Sequence, residues 1–309
     1  MLDTVRVKFP ISPDPEELQC YWTRKTTAKD SRGLREVYLY NPKFIDDDRE
    51  VMLKYTYFPY SYDCKRLLTL EFSLPKLLYG NNYQMLGSID GTIKLANMFL
   101  AQVPHAPILD LAEGILIRLD MCFNHQVGEA VEDYIKAIGN LDYPRRRTKY
   151  HKGEGVEFKA KHITTKFYNK QKETGIDKAF GILRQETTIL SGKDVQNLLG
   201  NKKPTLVDIS KDFIVDYLND DLRKLTLLDN SIATRNTALK LLCDTHGSDA
   251  GIYYFGLLVS KMDKSKKTIA SETRTHPRSL DRKLRKIVDT GIALTLTDRE
   301  EPLPPLHVR

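Results

Sequence analysis

The chain has 309 residues, 41% of them hydrophobic and 29% charged, with a formal charge of +7 and an isoelectric point near 9.0. That balance excludes a disordered chain, leaves room for two sizeable cores or one large core with an accessory domain, and favours a polyanionic partner. Cys20, Cys64, Cys122 and Cys243 form no C-x-x-C pair, and no apolar run has signal or membrane length, which predicts a reduced, cytoplasmic protein without membrane contact.

Residues 4–11 alternate as a strand, with Val5, Val7 and Phe9 on one face and Thr4, Arg6 and Lys8 on the other. Strands are predicted at 36–40, 51–58 and 67–73, the last running into Pro75-Lys76-Leu77-Leu78-Tyr79-Gly80-Asn81. A helix at 90–102 closes this half, and Pro104 and Pro107 mark the break. The second half repeats that layout: a strand at 114–123, a helix at 129–138, strands at 155–161, 164–169 and 182–190, and a helix at 193–199.

The correspondence extends to residues. Leu68 through Asn81 resembles Leu183 through Asn201, and Val5-Arg6-Val7-Lys8 resembles Ile117-Arg118-Leu119-Asp120. The spacing from Lys8 to Glu71 is 63, against 66 from Asp120 to Glu186, as a tandem duplication predicts. Lys8 stands where the second copy has Asp120.

Beyond residue 211 the pattern turns helical, at 213–225 and 233–245. A final block, 266–273 and 277–288 about a break at 274–276, followed by a strand at 292–296, reads as a winged helix-turn-helix. Arg278, Arg282, Lys283 and Arg285 project from its second helix, suiting a major groove or a phosphate backbone; a solvated basic helix in a protein-interaction module is the bland alternative. The expected architecture is therefore α+β. Duplicated antiparallel-sheet units (1–105 and 106–205), with helices packed on one face, precede a helical region (206–309) that carries the winged helix-turn-helix.

Three polar insertions stand out in the second copy: Arg118-Leu119-Asp120, Tyr168 with Lys172 beyond it, and Arg184-Gln185-Glu186. A buried carboxylate needs a cation or hydrogen-bond donors. Asp120 and Glu186 on neighbouring strands could share one divalent ion, Mg²⁺ or Mn²⁺, which prefer oxygen ligands; a structural ion pair from Arg118 or Arg184 satisfies the acids equally well. A phenol with a pKa of about 10 is scarcely ionised at neutral pH, so Tyr168 as a nucleophile needs a cation such as Lys172 or Lys166. His162 shares its strand parity and reads as a third metal ligand or as a core histidine. Arg145, Arg146, Arg147, Lys149, His151 and Lys152 form a basic loop suited to phosphates. Tyr38, Tyr40, Tyr55, Tyr57, Tyr60, Tyr62, Tyr79 and Tyr83 crowd the first half, as sheet packing or as platforms for unpaired bases.

The run from Leu70 through Asn81, the Arg-Leu-Asp strand, the hairpin ending in Tyr168 and the Arg184-Gln185-Glu186 strand together resemble the gene II/X-type replication initiators of filamentous phages. That family is similar in turn to plasmid rolling-circle initiators. The resemblance covers most of residues 1–200. It implies a strand-specific endonuclease that nicks a double-stranded, locally melted origin and holds the 5′ end on a tyrosine, which falls on Tyr168, with the preceding histidine on His162. The His-hydrophobic-His metal motif of the wider superfamily is replaced by Arg118-Leu119-Asp120. The implied setting is the cytoplasm of a bacterial host, with the host helicase, polymerase and single-strand-binding protein as partners. A homodimer, another tyrosine such as Tyr150, or water would complete the second strand transfer. Two other readings use the same residues: a non-enzymatic winged helix-turn-helix regulator, and a duplicated sheet that binds single-stranded nucleic acid.

Overall fold

The computed structural model of the protein describes residues 1–10, 23–30, 33–40, 43–44, 49–57, 66–86, 88–101, 110–151 and 153–309, with the backbone alone for 10, 23–57 and 66–67. Of the first-half tyrosines proposed as stacking platforms, the side chains of Tyr38, Tyr40, Tyr55 and Tyr57, and the whole of Tyr60 and Tyr62, lie outside the described residues. So does Lys152.

In chain order the elements are β1 (Leu2–Pro10), β2 (Thr23–Asp30), β3 (Gly33–Tyr40), β4 (Lys43–Phe44), β5 (Arg49–Tyr57), β6 (Arg66–Ser73), α1 (Leu74–Tyr79), α2 (Ile89–Leu100) and β7 (Ile115–Gln126). There follow α3 (Val131–Gly139), β8 (Arg147–His151), β9 (Gly155–Lys159), β10 (Ile163–Asn169), α4 (Lys170–Thr174), β11 (Ile182–Ile189), α5 (Gly192–Leu199) and α6 (Lys211–Lys224). The last are β12 (Ser231–Thr234), α7 (Arg235–His246), α8 (Ser248–Asp263), α9 (Lys266–Glu272), α10 (Pro277–Val288) and β13 (Ile292–Thr297). The fold is α+β, built on antiparallel strand pairs.

Two compact units form, each from two chain segments: Met1–Cys122 with Thr187–Ile214, and Phe123–Glu186 with Val215–Arg309. The strands β7 and β11 each contribute residues to both units.

In the first unit the strands lie in the order β2, β3, β5, β6, β1, β7. Val5 and Val7, less than 1% exposed, alternate with half-buried Thr4, Arg6 and Lys8, as the sequence pattern requires. Arg6 pairs across the ladder with Glu71 on β6 and with Arg118 on β7. Arg6 and Arg118 are the two residues the sequence comparison equates, and they are cross-strand partners. The strand β6 ends at Ser73, whose side chain caps α1, and α1 ends at Gly80 in the left-handed region (φ 70°). The same device follows β11: Ser191 caps α5, and Gly200 (φ 63°) ends it.

In the second unit β11, β10, β9 and β8 lie side by side, and the distal part of β7 flanks β11. Counting outward from the leading strand, the first half reads β1, β6, β5, β3, β2 and the second reads β7, β11, β10, β9, β8. Val131, Tyr134, Ile135 and Ile138 are buried on one face of α3, which packs on β9, β10 and β13. The C-terminal elements share a core that includes Leu242, Leu258, Ile269, Leu280, Leu284 and Ile287. The helix pair α9–α10 lies where the sequence places it. The strand expected after them is present as β13, and it pairs in parallel with β12, some sixty residues earlier in the chain. The helix α8 was not anticipated.

Candidate functional site

Tyr168 is the penultimate residue of β10 and pairs in register with Gly155 of β9. A side chain at 155 would meet the Phe167 carbonyl oxygen and the Tyr168 Cβ at 2.8 Å, so glycine there makes room for the tyrosine. Asn169 caps α4 by accepting from the Lys172 N–H at 3.2 Å, and the chain turns from strand to helix one residue beyond Tyr168.

The Tyr168 hydroxyl donates to Glu186 Oε2 at 2.9 Å. Glu186 lies two residues after Arg184 on one face of β11, with the Arg184 Nε 3.6 Å from the same carboxylate oxygen. Arg184 is fully buried and donates to Asn124 Oδ1 at 3.2 Å. Lys170, also fully buried, pairs with Glu173 at 2.8 Å and places its Nζ 5.6 Å from the centre of the Tyr168 ring. A phenol, a carboxylate positioned to take its proton, and two cations thus converge in the second unit.

The other expected members are distributed differently. Lys172 turns away from Tyr168, to Glu132 at 2.5 Å and the Gly153 carbonyl at 3.1 Å. Lys166 keeps the parity of Tyr168 but faces Glu157 at 3.5 Å. His162 is exposed in the bend before β10, so six residues of extended chain, about 20 Å, separate it from Tyr168. It lies that far along the chain from the tyrosine that bonds Glu186, the acid with which it was expected to share a metal.

In the first unit Asp120 is 3% exposed, and both its carboxylate oxygens accept from Arg118, at 3.0 and 2.7 Å. Arg118 also pairs with Glu71, which Arg6 grips from the other side at 2.6 Å. Burial works against the Arg118 charge, but the hydrogen bonds and charges of Asp120 and Glu71 outweigh it and raise the pKa above the ordinary arginine value. Arg118 is therefore committed to an ion-pair ladder rather than free for DNA. This donor chemistry does not fit Mg²⁺ or Mn²⁺: Asp120 is clasped by a guanidinium, and Glu186 is held by a phenol with a guanidinium near it. Among the described residues, no group of three or more His, Cys, Asp and Glu side chains is arranged to hold a metal.

Of the basic loop, Arg145 (φ 62°) is exposed, as are Arg147 and Lys149 on β8. Arg146 instead turns inward. Its guanidinium lies 3.8 Å from the centre of the Tyr143 ring and 3.8 Å from Asp221, a fully buried carboxylate of α6. Asp221 accepts from Thr165 at 2.9 Å and from the Tyr143 hydroxyl. Burial and the neighbouring Asp221 charge push the Tyr143 phenol well above its usual range, and the same two causes raise Tyr217 to about 12. This network was missed because Asp221 carries no signal in a polar helical stretch.

A second unforeseen pair is buried His125, whose Nε2 lies 3.0 Å from Gln185 Oε1. Gln185 belongs to the Arg-Gln-Glu run, but its alternation with Glu186 puts it on the opposite face of β11. On the C-terminal helices, Arg278, Arg282 and Arg285 are exposed, while Lys283 donates to the Tyr253 hydroxyl at 2.6 Å.

No family model matches the chain, and no curated protein sequence is similar to it. Among solved structures, a rolling circle replication initiator protein from Geobacillus stearothermophilus aligns over 72% of this chain and 95% of its own, at 14% identity and a TM-score of 0.30. That likeness is too loose to establish a common fold. No helix among the described residues is long and apolar enough to cross a membrane.

Proposed function

We propose that the protein is a DNA strand-nicking replication initiator of the rolling-circle kind, with Tyr168 as nucleophile and Glu186 as its proton acceptor. The observation that carries the reading is the 2.9 Å hydrogen bond from the Tyr168 hydroxyl to Glu186, on strands whose residues resemble the phage initiators. As the phenolic oxygen forms its bond to phosphorus, its proton passes to the Glu186 carboxylate, the bond from phosphorus to the 3′ oxygen breaks, and the departing oxygen takes up a proton from the Glu186 carboxyl or from water. A 5′-phosphotyrosine and a free 3′-OH result, the latter able to prime a host polymerase. A later 3′-OH attacks the phosphotyrosine, reverses the exchange and rejoins the strand without ATP. Arg184 holds Glu186 in place, and Lys170 adds positive charge beside the ring. The exposed arginines of α10 grip the duplex through its phosphates.

A supercoiled plasmid bearing the cognate origin tests this. Wild type should convert it to open circle and leave protein covalently on the 5′ end. Tyr168→Phe should do neither, and Glu186→Gln should nick at least tenfold more slowly. Adding EDTA to the same assay measures whether a divalent ion is required. Nicking by Tyr168→Phe at the wild-type rate would overturn the proposal. The regulator reading, which the α10 arginines also favour, predicts origin binding with no nicking by any variant.

A further inference from the structure

On the face of β11 opposite the Tyr168–Glu186 pair, the second unit contains an open cavity of about 540 Å³ between the end of β7, the start of α3 and residues 304–309. That volume lies within the range of small-ligand pockets, about 300–1,000 Å³. Its walls mix apolar side chains, from Phe123, Val127, Pro305 and Leu306, with polar ones from Asn124, Gln126 and Tyr134. The Tyr134 hydroxyl ties one wall to another by donating to the Pro304 carbonyl at 2.6 Å.

Gln185 donates its Nε2 to the Leu218 carbonyl at 2.9 Å, so its Oε1 must accept from His125, 3.0 Å away. The hydrogen on the His125 ring is therefore on Nε2, and Nδ1 is left as an acceptor with no hydrogen-bond partner among the described residues. His125 is 5% exposed and lines the cavity, with its ring edge-on to Phe123 at 4.9 Å. Burial, reinforced by His307, holds the ring neutral by lowering its pKa to about 4. A ligand must therefore bring a donor to this acceptor. His307 and Arg309 also line the cavity, and Arg309 supplies a positive charge. Apolar side chains for a ring to lie against, an acceptor on the cavity wall and an arginine suit a ring bearing an N–H group joined to a phosphate.

We propose that this cavity binds a single nucleotide, with His125 Nδ1 accepting from the base and Arg309 holding the phosphate. The choice of a nucleotide rests on the DNA-processing reading above; the geometry of the site does not. The nucleotide is either free in solution or an unpaired residue of a DNA strand, and the two sources separate experimentally.

The full chain, with ¹⁵N-labelled histidine, is titrated with deoxynucleoside monophosphates, deoxynucleosides, inorganic phosphate and a short oligothymidylate. Ring ¹⁵N spectra and calorimetry follow binding. A saturable monophosphate complex should shift the His125 Nδ1 resonance. Arg309→Gln, at an exposed position outside the core, should weaken the monophosphate at least tenfold and leave the deoxynucleoside unchanged. His125→Phe keeps the ring volume but lacks the acceptor, and should weaken both. If the oligothymidylate loses affinity in the same variants, the ligand is a strand nucleotide; if only the monophosphate does, it is a free one.

No shift of His125 with either nucleotide source overturns the site, as does inorganic phosphate binding as tightly as the monophosphate, or wild-type affinity in both variants. Plasmid nicking is scored separately. A chain that nicks but does not bind nucleotides loses the pocket alone. One that binds nucleotides but does not nick keeps it.

Discussion

At the scale of single residues, His125 makes a measurable demand on solution conditions. Its folded pKa is depressed from 6.5 to about 4, by burial first and then by His307. In the unfolded chain the ring takes up a proton near pH 6.5, and the folded protein refuses that proton until about pH 4. Stability from this group is thus fully present above pH 6.5 and drains away as the pH falls through the window, by about 3 kcal/mol at its lower end. Urea unfolding of wild type and His125→Gln between pH 7 and pH 4 isolates the effect, since other groups titrate alike in both. The wild-type curve should fall more steeply, and parallel curves would place the loss elsewhere. Tyr168 and Glu186 were both singled out in the sequence, Glu186 as a metal ligand beside Asp120, and their mutual hydrogen bond was not foreseen. The expected cation was misplaced for a local reason. Strand alternation carried past Tyr168 puts Lys172 on its face, but Asn169 starts a helix and ends the alternation, so buried Lys170 lies beside the ring instead. The parity argument fails for His162 in the same way, at the bend before β10. Arg146 was read as part of a basic loop because it lies in a run with Arg145 and Arg147, both of which are exposed. The turn at Arg145 (φ 62°) precedes the side chain that is directed inward to Asp221.

At the scale of elements, the strands were the better-read part because alternation is written directly into them, as in Val5, Val7 and Phe9 of β1. The matching runs that end at Gly80-Asn81 and Gly200-Asn201 were equally visible, whereas the caps that Ser73 and Ser191 supply to α1 and α5 were not anticipated. The helix α8 was not, since Gly251, Gly256, Tyr253, Tyr254 and Phe255 lower its helical propensity. Its cause is tertiary. A Cβ on Gly251 would sit 2.5 Å from the Cα and N of Cys243 in α7, so the two helices approach too closely for any other residue. Gly256 has nothing within 4 Å of the same position. Gly251→Ala should therefore destabilise by about 1–3 kcal/mol through overpacking, while Gly256→Ala should gain up to about 1 kcal/mol of helical propensity. Urea midpoints with unchanged slopes measure both. A neutral Gly251→Ala would mean that α7 and α8 can separate at little cost. The pairing of β13 with β12 is tertiary in the same sense, for no local pattern can identify a partner so distant in the chain.

At the scale of the whole molecule, the net charge of +7 becomes informative once paired charges are set aside. Many exposed cations are matched: Lys136 with Asp298, Lys264 with Glu272, Lys266 with Asp281, Arg299 with Asp133. Arg278, Arg282 and Arg285 recur at i, i+4 and i+7, so they form a stripe along α10, opposite the buried seam of Leu280, Leu284 and Ile287. None of the three has an ion-pair partner among the described residues. A stripe of this kind binds phosphates by releasing counterions, so its contribution is read from the salt dependence of binding rather than from one affinity. Each arginine that contacts a phosphate should lower the slope of log affinity against log salt by about 1 when replaced. For duplex DNA measured between 50 and 200 mM salt, Arg278→Gln, Arg282→Gln and Arg285→Gln combined should flatten the slope by about 3 and weaken binding most at low salt. The weakening should be uniform across sequences if the helix lies on the backbone, and confined to one site if an arginine reads a base. An unchanged slope would remove α10 from the DNA interface and shift the search to Arg145, Arg147 and Lys149, the exposed cations around β8.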